Sequence, residues 1–494
     1  MLLSSLLNSI EYTQKSFAER DVTFVTSNSR EANESAVFVC IKGFSTDGHN
    51  YALGAYDKGC RSFVCEYVPN NLPSDVTLIL VKNTRKALAL LSCAINSNPS
   101  HSLFTIGVTG TKGKTTTALM IKQLLDSAGI HTGYIGSNGV SYGEEHLQTT
   151  NTTPESYLLQ KYMRDMVDCG MKAVVLEVSS QALPLYRVLG TKFDVCIFTN
   201  LSPDHIGPNE HNSFEEYFLA KKQLFDEYCP PLVIANADDE HTEAMLKDCK
   251  AKKIYYSCKQ EADFTARDIS LCRTENQLGI SFICENNGEY ISCTLPVAGE
   301  FNVSNALSSI AVAKHLGVAN PRISMGLLDI VIDGRFETVT TKNGACFVID
   351  YAHNGFSLEA ALHTLRKYEP RNLICLYGSV GGRTQVRRGQ LGEVASKYAD
   401  FSIITSDNPD FESPENIIND IAQMYDNPNS YIKIADREEA IKYAYSIAHK
   451  GDIVLLAGKG HEKYQLINGK KEYFNEHEIL DELIKKEFTV YDKK

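Results

Sequence analysis

The chain has 494 residues, 22% charged and 43% hydrophobic, with a formal net charge of −12, enough for about two to four domains of ordinary globular composition. That acidity argues against a nucleic-acid partner, and the absence of any run of 18 apolar residues excludes membrane insertion as a spanning helix. Residues 1–7 lack the charged start and apolar core of a signal peptide, and the 14 cysteines form no Cys-x-x-Cys pair, so a cytoplasmic protein with free thiols is expected.

Residues 1–102 read as a first domain of short strands and helices, with a strand over 37–41 and a turn-rich stretch after it. The polar segment 96–100 reads as a linker. A second domain, 103–333, opens with the apolar run 103–108, followed by Gly110, Thr111, Lys112, Gly113, Lys114, Thr115 and Thr116. A strand, a glycine-rich turn and a helix start in that order would cradle phosphates on backbone N–H groups. Lys114 is placed to reach the outer phosphates and the Thr115 hydroxyl to hold Mg²⁺. The two glycines are three residues apart, shorter than the usual phosphate loop. The amphipathic run Ala118, Leu119, Ile121, Leu124 and Leu125, closed by Gly129, supplies the helix behind it.

Apolar runs at 173–178, 195–198 and 232–235 then alternate with helical patterns, which predicts a parallel α/β sheet. Glu177 ends the first run, and Asp204 and His205 follow the second. Carboxylates and imidazoles at the carboxyl ends of parallel strands are candidates for metal binding or catalysis; the bland alternative for Glu177 is a capped helix start. Ser213 and Glu216 form a capping box opening a helix, and Lys221 on that helix reads from spacing alone as a solvated face. Between about 252 and 297 the pattern becomes short and alternating, an antiparallel excursion.

A third domain, 334–494, repeats the α/β alternation with strands at 346–350, 373–377, 401–405 and 453–457, a second doubly wound sheet. Its strand ends carry Asp350, the Gly381-Gly382-Arg383 turn, Asp407-Asn408-Pro409-Asp410 and Gly458-Lys459-Gly460-His461-Glu462. Three such clusters on one sheet edge form a candidate binding face.

These motifs, with Asn151-Thr152-Thr153-Pro154, Glu177-Val178-Ser179-Ser180, Asn302-Val303-Ser304-Asn305 and Gly334-Arg335, resemble the Mur ligase family across nearly the whole chain. More narrowly they are similar to its branch that adds the third residue of the peptidoglycan stem. The resemblance implies a UDP-binding amino-terminal domain, a central ATPase and a Rossmann-like carboxyl-terminal domain. It implies ATP and Mg²⁺, and a reaction in which ATP converts a carboxylate of the UDP-N-acetylmuramoyl dipeptide to an acyl phosphate that a free amino acid attacks. Carried over by position, Lys114 and Thr115 serve the phosphates, Glu177 and His205 two Mg²⁺ ions, and Lys221 is the lysine converted by CO₂ to a carbamate. Asn302 and Asn305 match the adenine side, Arg335 the phosphates and Asp350 the ribose. Ser29, Arg30, Thr152, Thr153, Ser179 and Arg187 match contacts to the UDP substrate, and Arg383, Asp407, Asn408, Asp410, Gly458 and Glu462 the amino-acid end.

The chain departs from the family pattern at Asn28, Gln181, Thr384 and Asp410. Where relatives that add meso-diaminopimelate carry arginine, Asp410 would repel a distal carboxylate and favour a bare ammonium. L-lysine is therefore the expected amino acid, with meso-diaminopimelate or L-ornithine, or another ATP-dependent ligation such as folylpolyglutamate synthesis, as alternatives. A nucleotide-gated scaffold is the rival of a different class. A monomer is expected.

Overall fold

The computed structural model describes residues 1–491 except 44–45, 205, 208–209, 275–276 and 383–384. The chain has a three-domain α/β fold built on mostly parallel sheets. It divides into two compact units, Met1–Phe264 with Leu307–Val318, and Thr265–Ala306 with Ala319–Lys494. Among the described residues no helix is long and apolar enough to cross a membrane, and all 14 cysteines are free.

The first unit begins with a sheet ordered Thr13–Ser16, Thr77–Leu80, Ser62–Cys65, Ala36–Val39 and Phe24–Thr26, parallel except for its first pair. Helix Thr84–Ile95 packs on it, its N-terminus closed by Asn83 Oδ1, which accepts from Lys86 N at 2.9 Å; such a cap is worth about 1 kcal/mol. The segment expected to be a linker is an ordered connection. Asn98 takes φ +49° into the short turn Pro99–His101, and buried Ser100 accepts through Oγ from Lys192 N at 3.0 Å.

The next parallel strands lie in the order Lys252–Ser257, Leu232–Asn236, Val195–Phe198, Phe104–Thr109, Ala173–Glu177 and Thr132–Gly136. After Phe104–Thr109 the chain adds strands to one side, then crosses to the other with Val195–Phe198. Ligands of open α/β sheets sit at the carboxyl ends of strands where the order reverses. Strands buried on both faces read as continuous apolar runs, which is why Val195–Phe198 and Ala173–Glu177, buried throughout, are plain in the sequence. The antiparallel excursion starts later than the pattern suggested. Lys252–Ser257 pairs parallel to Leu232–Asn236, and because it is exposed at Lys252 and buried only at Tyr256 and Ser257 it lacks the continuous apolar run that marks the central parallel strands.

The antiparallel strands are Phe264–Arg273, Leu278–Asn286 and Glu289–Leu295, which belong to the second unit from Thr265 onward. The carboxyl-terminal sheet is ordered Glu337–Thr340, Cys346–Asp350, Ile453–Ala457, Leu373–Tyr377, Phe401–Ile404 and Tyr431–Lys433, parallel except for its first pair. Phe347, Ile349, Leu376, Ile403, Val454 and Leu456 pack with Ala440, Ile441 and Ala444 of helix Arg437–Ile447 in its core. A hairpin, Tyr464–Ile467 with Lys470–Tyr473, follows the last strand of the sheet.

Candidate active site

The glycine-rich loop between strand Phe104–Thr109 and helix Lys114–Ser127 is held by the end of the neighbouring strand. Gly110 has φ +150°, and a Cβ there would lie 2.0 Å from Thr199 Oγ1, so the close approach admits only glycine. Asn200 accepts from Thr111 N through its carbonyl at 2.8 Å and from Lys112 N through Oδ1 at 2.9 Å, and its Nδ2 donates to Lys112 O at 3.0 Å. Thr199 Oγ1 donates to Lys112 O at 2.7 Å. Hydrogen bonds from the protein itself thus hold the loop in shape, the condition for cheap anion binding. Lys112 pairs with Asp204 at 3.0 Å. Lys114 Nζ donates to Gly110 O and Thr111 O at 2.9 and 3.1 Å, against the loop it would serve.

Glu177 is wholly buried at the end of its strand. Its carboxylate accepts from Thr115 Oγ1 at 3.0 Å, Tyr134 OH at 2.6 Å, Ser137 N at 3.0 Å and Ser137 Oγ at 3.3 Å. A Cβ on Gly136 would fall 2.2 Å from Glu177 Oε1, so this glycine makes room for the carboxylate. Every donor is neutral. A buried carboxylate with only neutral partners, beside a threonine hydroxyl at the start of a phosphate-loop helix, is a hard-oxygen donor set that fits Mg²⁺.

The expected contacts to the UDP substrate gather on the same strand end. Thr153 Oγ1 donates to Glu177 O at 2.7 Å and accepts from Ser179 N at 3.0 Å. Thr152 Oγ1 lies 3.0 Å from Ser137 Oγ. Arg187 donates through Nη1 to Thr153 O at 3.2 Å and through Nε to Glu155 at 3.0 Å. Ser29 and Arg30 are carried elsewhere, on a turn after strand Phe24–Thr26 in which Asn28 Oδ1 accepts from Arg30 N at 3.1 Å.

Lys221 overturns the surface reading that spacing alone gave. It is 1% exposed, donates to Gly110 O at 2.9 Å and lies 4.6 Å from the centre of the Tyr217 ring. Helical periodicity places it on a face but cannot say which face the glycine loop covers. Burial, and then the Lys114 charge, hold its amine well below the ordinary 10.5. Its helix, Phe214–Asp226, is capped by Ser213 Oγ, which accepts from Glu216 N at 3.1 Å. The Glu216 side chain accepts from Asn212 N at 3.1 Å instead of closing the reciprocal box.

In the second unit, Asn302 Nδ2 donates to Ala298 O at 2.7 Å and Asn305 Nδ2 to Asn302 Oδ1 at 3.0 Å, both residues buried. Asp350 Oδ2 accepts from Phe336 N at 3.0 Å. Burial pushes its carboxyl up, opposed by the Arg335 charge, and the Arg335 guanidinium lies 4.9 Å from the centre of the Tyr351 ring.

At the strand ends expected to hold the amino acid, Lys459 lies at the centre of the polar cluster. Its Nζ, fully buried, donates to Asn408 Oδ1 and Glu462 Oε2 at 2.8 Å each and lies 3.7 Å from Asp407 Oδ1. Asn408 Nδ2 donates to Glu462 Oε2 at 3.1 Å. Gly458, at φ +115°, lets the loop pass where a Cβ would meet Asp407 Oδ2 at 2.9 Å. Asp410 turns away to the neighbouring hairpin. Its Oδ1 accepts from Gly469 N at 2.7 Å, and its N–H donates to Leu466 O at 2.9 Å. It ties down the hairpin turn, so an aspartate at this position does not require a cationic partner in the substrate. His205 and Arg383 lie outside the described residues.

Sequence reasoning assigns no role to Tyr134, Ser137 or Asn200. Each is an ordinary polar residue, and only the sheet order brings it to the loop or to Glu177. Lys459 stands inside a recognised motif without a role of its own; its signal is a lysine within a glycine-rich strand end.

Three family models match the chain: "Mur ligase family, catalytic domain" over residues 21–95, "Mur ligase middle domain" over 108–313, and "Mur ligase, glutamate ligase domain" over 334–460. The chain is 39% identical to UDP-N-acetylmuramoyl-L-alanyl-D-glutamate–2,6-diaminopimelate ligase of Clostridium botulinum over 98% of this chain and 100% of the relative. A solved structure of a ligase of the same name superposes with a TM-score of 0.71 at 26% identity, covering 98% of this chain and 99% of that one. The ligase MurF of Thermotoga maritima in complex with ADP, 20% identical with a TM-score of 0.60 over 88% of this chain and 94% of its own, shares the fold. The names of the first two back diaminopimelate over the lysine expected from Asp410.

Proposed function

The chain belongs to the Mur family of ATP-dependent ligases, and from that premise we propose that it is a UDP-N-acetylmuramoyl-tripeptide synthetase. It joins meso-diaminopimelate to UDP-N-acetylmuramoyl-L-alanyl-D-glutamate in peptidoglycan synthesis. The observation that carries this reading is the end-to-end likeness to the diaminopimelate ligase of Clostridium botulinum. The fastening of the Asp410 carboxylate to the hairpin turn removes the main argument for lysine. A cytoplasmic location belongs to the same reading. A monomer with domains at 1–102, 103–333 and 334–494 is part of the proposal.

In this reading the glycine loop and Lys114 bind the ATP phosphates, Asn302 and Asn305 take the adenine side, Asp350 the ribose and Arg335 the phosphates. Ser29 and Arg30 serve the uridine end, and Thr152, Thr153, Ser179 and Arg187 the muramoyl dipeptide. The substrate carboxylate displaces ADP at the terminal phosphorus of ATP to form an acyl phosphate. The neutral amine of the amino acid then attacks the acyl carbon, phosphate leaves with the bonding pair, and the amine gives up a proton. A carboxylate is a poor electrophile, and phosphorylation supplies its leaving group. Thr115 and Glu177, with His205, would hold Mg²⁺, which offsets negative charge where phosphates and carboxylate meet. Arg383, Asp407, Asn408, Gly458 and Glu462 hold the amino acid.

Lys221 is carbamylated in this reading. CO₂ adds only to an unprotonated amine, forming the N–C bond with loss of the amine proton. Burial, which holds the Lys221 amine well below its ordinary range, favours that unprotonated form. The product replaces a buried cation with an anion whose oxygens suit a divalent ion.

Phosphate release from ATP with UDP-N-acetylmuramoyl-L-alanyl-D-glutamate, comparing meso-diaminopimelate, L-lysine and L-ornithine, tests the proposal. Diaminopimelate is expected to give the highest kcat/KM. Preference for lysine would reinstate Asp410 as a charge selector, and release that no amino acid stimulates would sink the ligase reading.

A further inference from the structure

Arg437 and Glu476 form a buried ion pair behind the amino-acid loops, 1% and 2% exposed. Arg437 is the first residue of helix Arg437–Ile447, capped by Asp436, whose Oδ1 accepts from Glu439 N at 3.0 Å. Its guanidinium points three ways: Nε to Glu476 Oε1 at 2.8 Å, Nη1 to Ser406 O at 3.1 Å and Nη2 to Ala457 O at 2.9 Å. Ser406 immediately precedes Asp407, and Ala457 immediately precedes Gly458. The strands those two carbonyls follow or end, Phe401–Ile404 and Ile453–Ala457, are not neighbours, because Leu373–Tyr377 lies between them. No ladder hydrogen bond therefore sets the distance between the two loops. Arg437 spans that gap at the base of the loops, as Lys459 does nearer their tips through Asn408 and Glu462.

From this geometry we infer that Arg437, oriented by Glu476, is a positioning residue that fixes the separation of the 407–410 and 458–462 loops and hence the fit of the incoming amino acid. The inference rests on the proposal that these loops hold that amino acid. The planar fork is what the position requires. It places donors on two carbonyls and a carboxylate at fixed angles, which the point charge of a lysine cannot do. Glu476 keeps the fork in register and balances its charge. An arginine here with no counter-ion would be a buried unpaired cation.

The test is steady-state kinetics on Arg437→Lys, Glu476→Gln and Glu462→Gln in the full chain, titrating amino acid, ATP and UDP dipeptide separately, with Tm measured for each variant. Arg437→Lys is expected to raise the amino-acid KM about tenfold or more, the scale of a binding group misplaced by a fraction of an ångström. Its KM values for ATP and UDP dipeptide should stay within about twofold of the wild type on the same scale. Glu476→Gln, which can still accept from Nε, should move the amino-acid KM in the same direction by less. If Arg437→Lys does not fold, Glu476→Gln decides alone. An unchanged amino-acid KM in the folded variants, or all three KM values rising together, overturns the inference. Glu462→Gln separates the two levels. An unchanged amino-acid KM there refutes the loops as the binding site, whereas a raised one beside unaffected Arg437 and Glu476 variants refutes only the strut.

Discussion

Glu177 and Glu462 stand at the ends of two unrelated sheets and balance their charges in opposite ways. Glu177 is buried among hydroxyls and a backbone N–H, and among the described residues it pairs with no cationic side chain. Glu462 has a resident cation in Lys459 at 2.8 Å and an amide donor in Asn408, while among the described residues its other oxygen meets only Tyr351 OH, at 3.4 Å. In the proposed reading the first arrangement would be completed by Mg²⁺ arriving with the nucleotide. The second has a cation in place, shared with Asp407 at 3.7 Å, and in the proposed reading would keep one acceptor oxygen for a substrate ammonium. The partners of each carboxylate thus separate the metal-binding role proposed for Glu177 from the substrate-binding role proposed for Glu462, although both look alike in sequence.

The contrast breaks first at the phosphate side. Glu177→Gln and Lys114→Ala are each expected to lower phosphate release about 10²–10³-fold, the scale of removing a charge that stabilises a transition state. Calorimetry should find UDP-dipeptide binding largely intact, and an equal loss of that binding would erase the division of roles. Lys221→Ala should fall nearly as far, and a short carboxylic acid added to the assay should restore part of the rate by standing in for the carbamate. Wild-type protein in CO₂-containing buffer should carry the carbamate mass on a peptide holding Lys221, whereas a fully active alanine variant would return this lysine to a packing role.

At the amino-acid side, Glu462→Gln keeps Oε1 as a neutral acceptor and removes the charge. Its amino-acid KM should rise about tenfold to a hundredfold, as for a charged hydrogen bond made neutral, with little change in the KM for ATP. Stability offers a subtler probe. The Lys221 amine is held well below its ordinary 10.5 when folded, so the unfolded chain binds this proton more tightly than the folded one and the difference costs stability. That cost vanishes above the unfolded value and grows as pH falls through the window beneath it. Lys221→Met in CO₂-free buffer should therefore melt higher than the wild type at pH 7, by about 2–4 °C for each kcal/mol recovered, and the gap should narrow toward pH 10. An equal or lower Tm at pH 7 would mean that the amine is charged in the fold. The smallest effect is expected from Asp410→Asn, which keeps an acceptor for Gly469 N. The ratio of kcat/KM for diaminopimelate and lysine should move by less than about threefold, because a hydrogen bond retained at a turn leaves the pocket unchanged; a larger swing would show that the Asp410 charge reaches the substrate.

Much of the scaffold is legible in the chain because buried parallel strands are apolar on both faces. The runs at 346–350, 373–377 and 453–457 coincide with the strands observed, whereas Lys252–Ser257, only partly buried, reads as something else. The glycine loop is equally plain, since Gly110 occupies a backbone position that a side chain would block. Surroundings that depend on distant partners are not legible in this way. Lys221 looks like any helix-surface lysine, and its burial comes from a loop 111 residues away in sequence. Asp410 looks like a selector of charge and is found fastening a hairpin.

The sequence by itself determined the α/β alternation, the phosphate loop and the residue types at each strand end, because local periodicity and backbone sterics act within a few residues. Only the tertiary structure decided which of those side chains share a partner. It put Tyr134 and Ser137 on Glu177, Lys459 between Asn408 and Glu462, and Arg437 across two strand ends that never pair. Those choices depend on sheet order and on which charges are taken out of water together, and neither is written in the neighbours of any one residue.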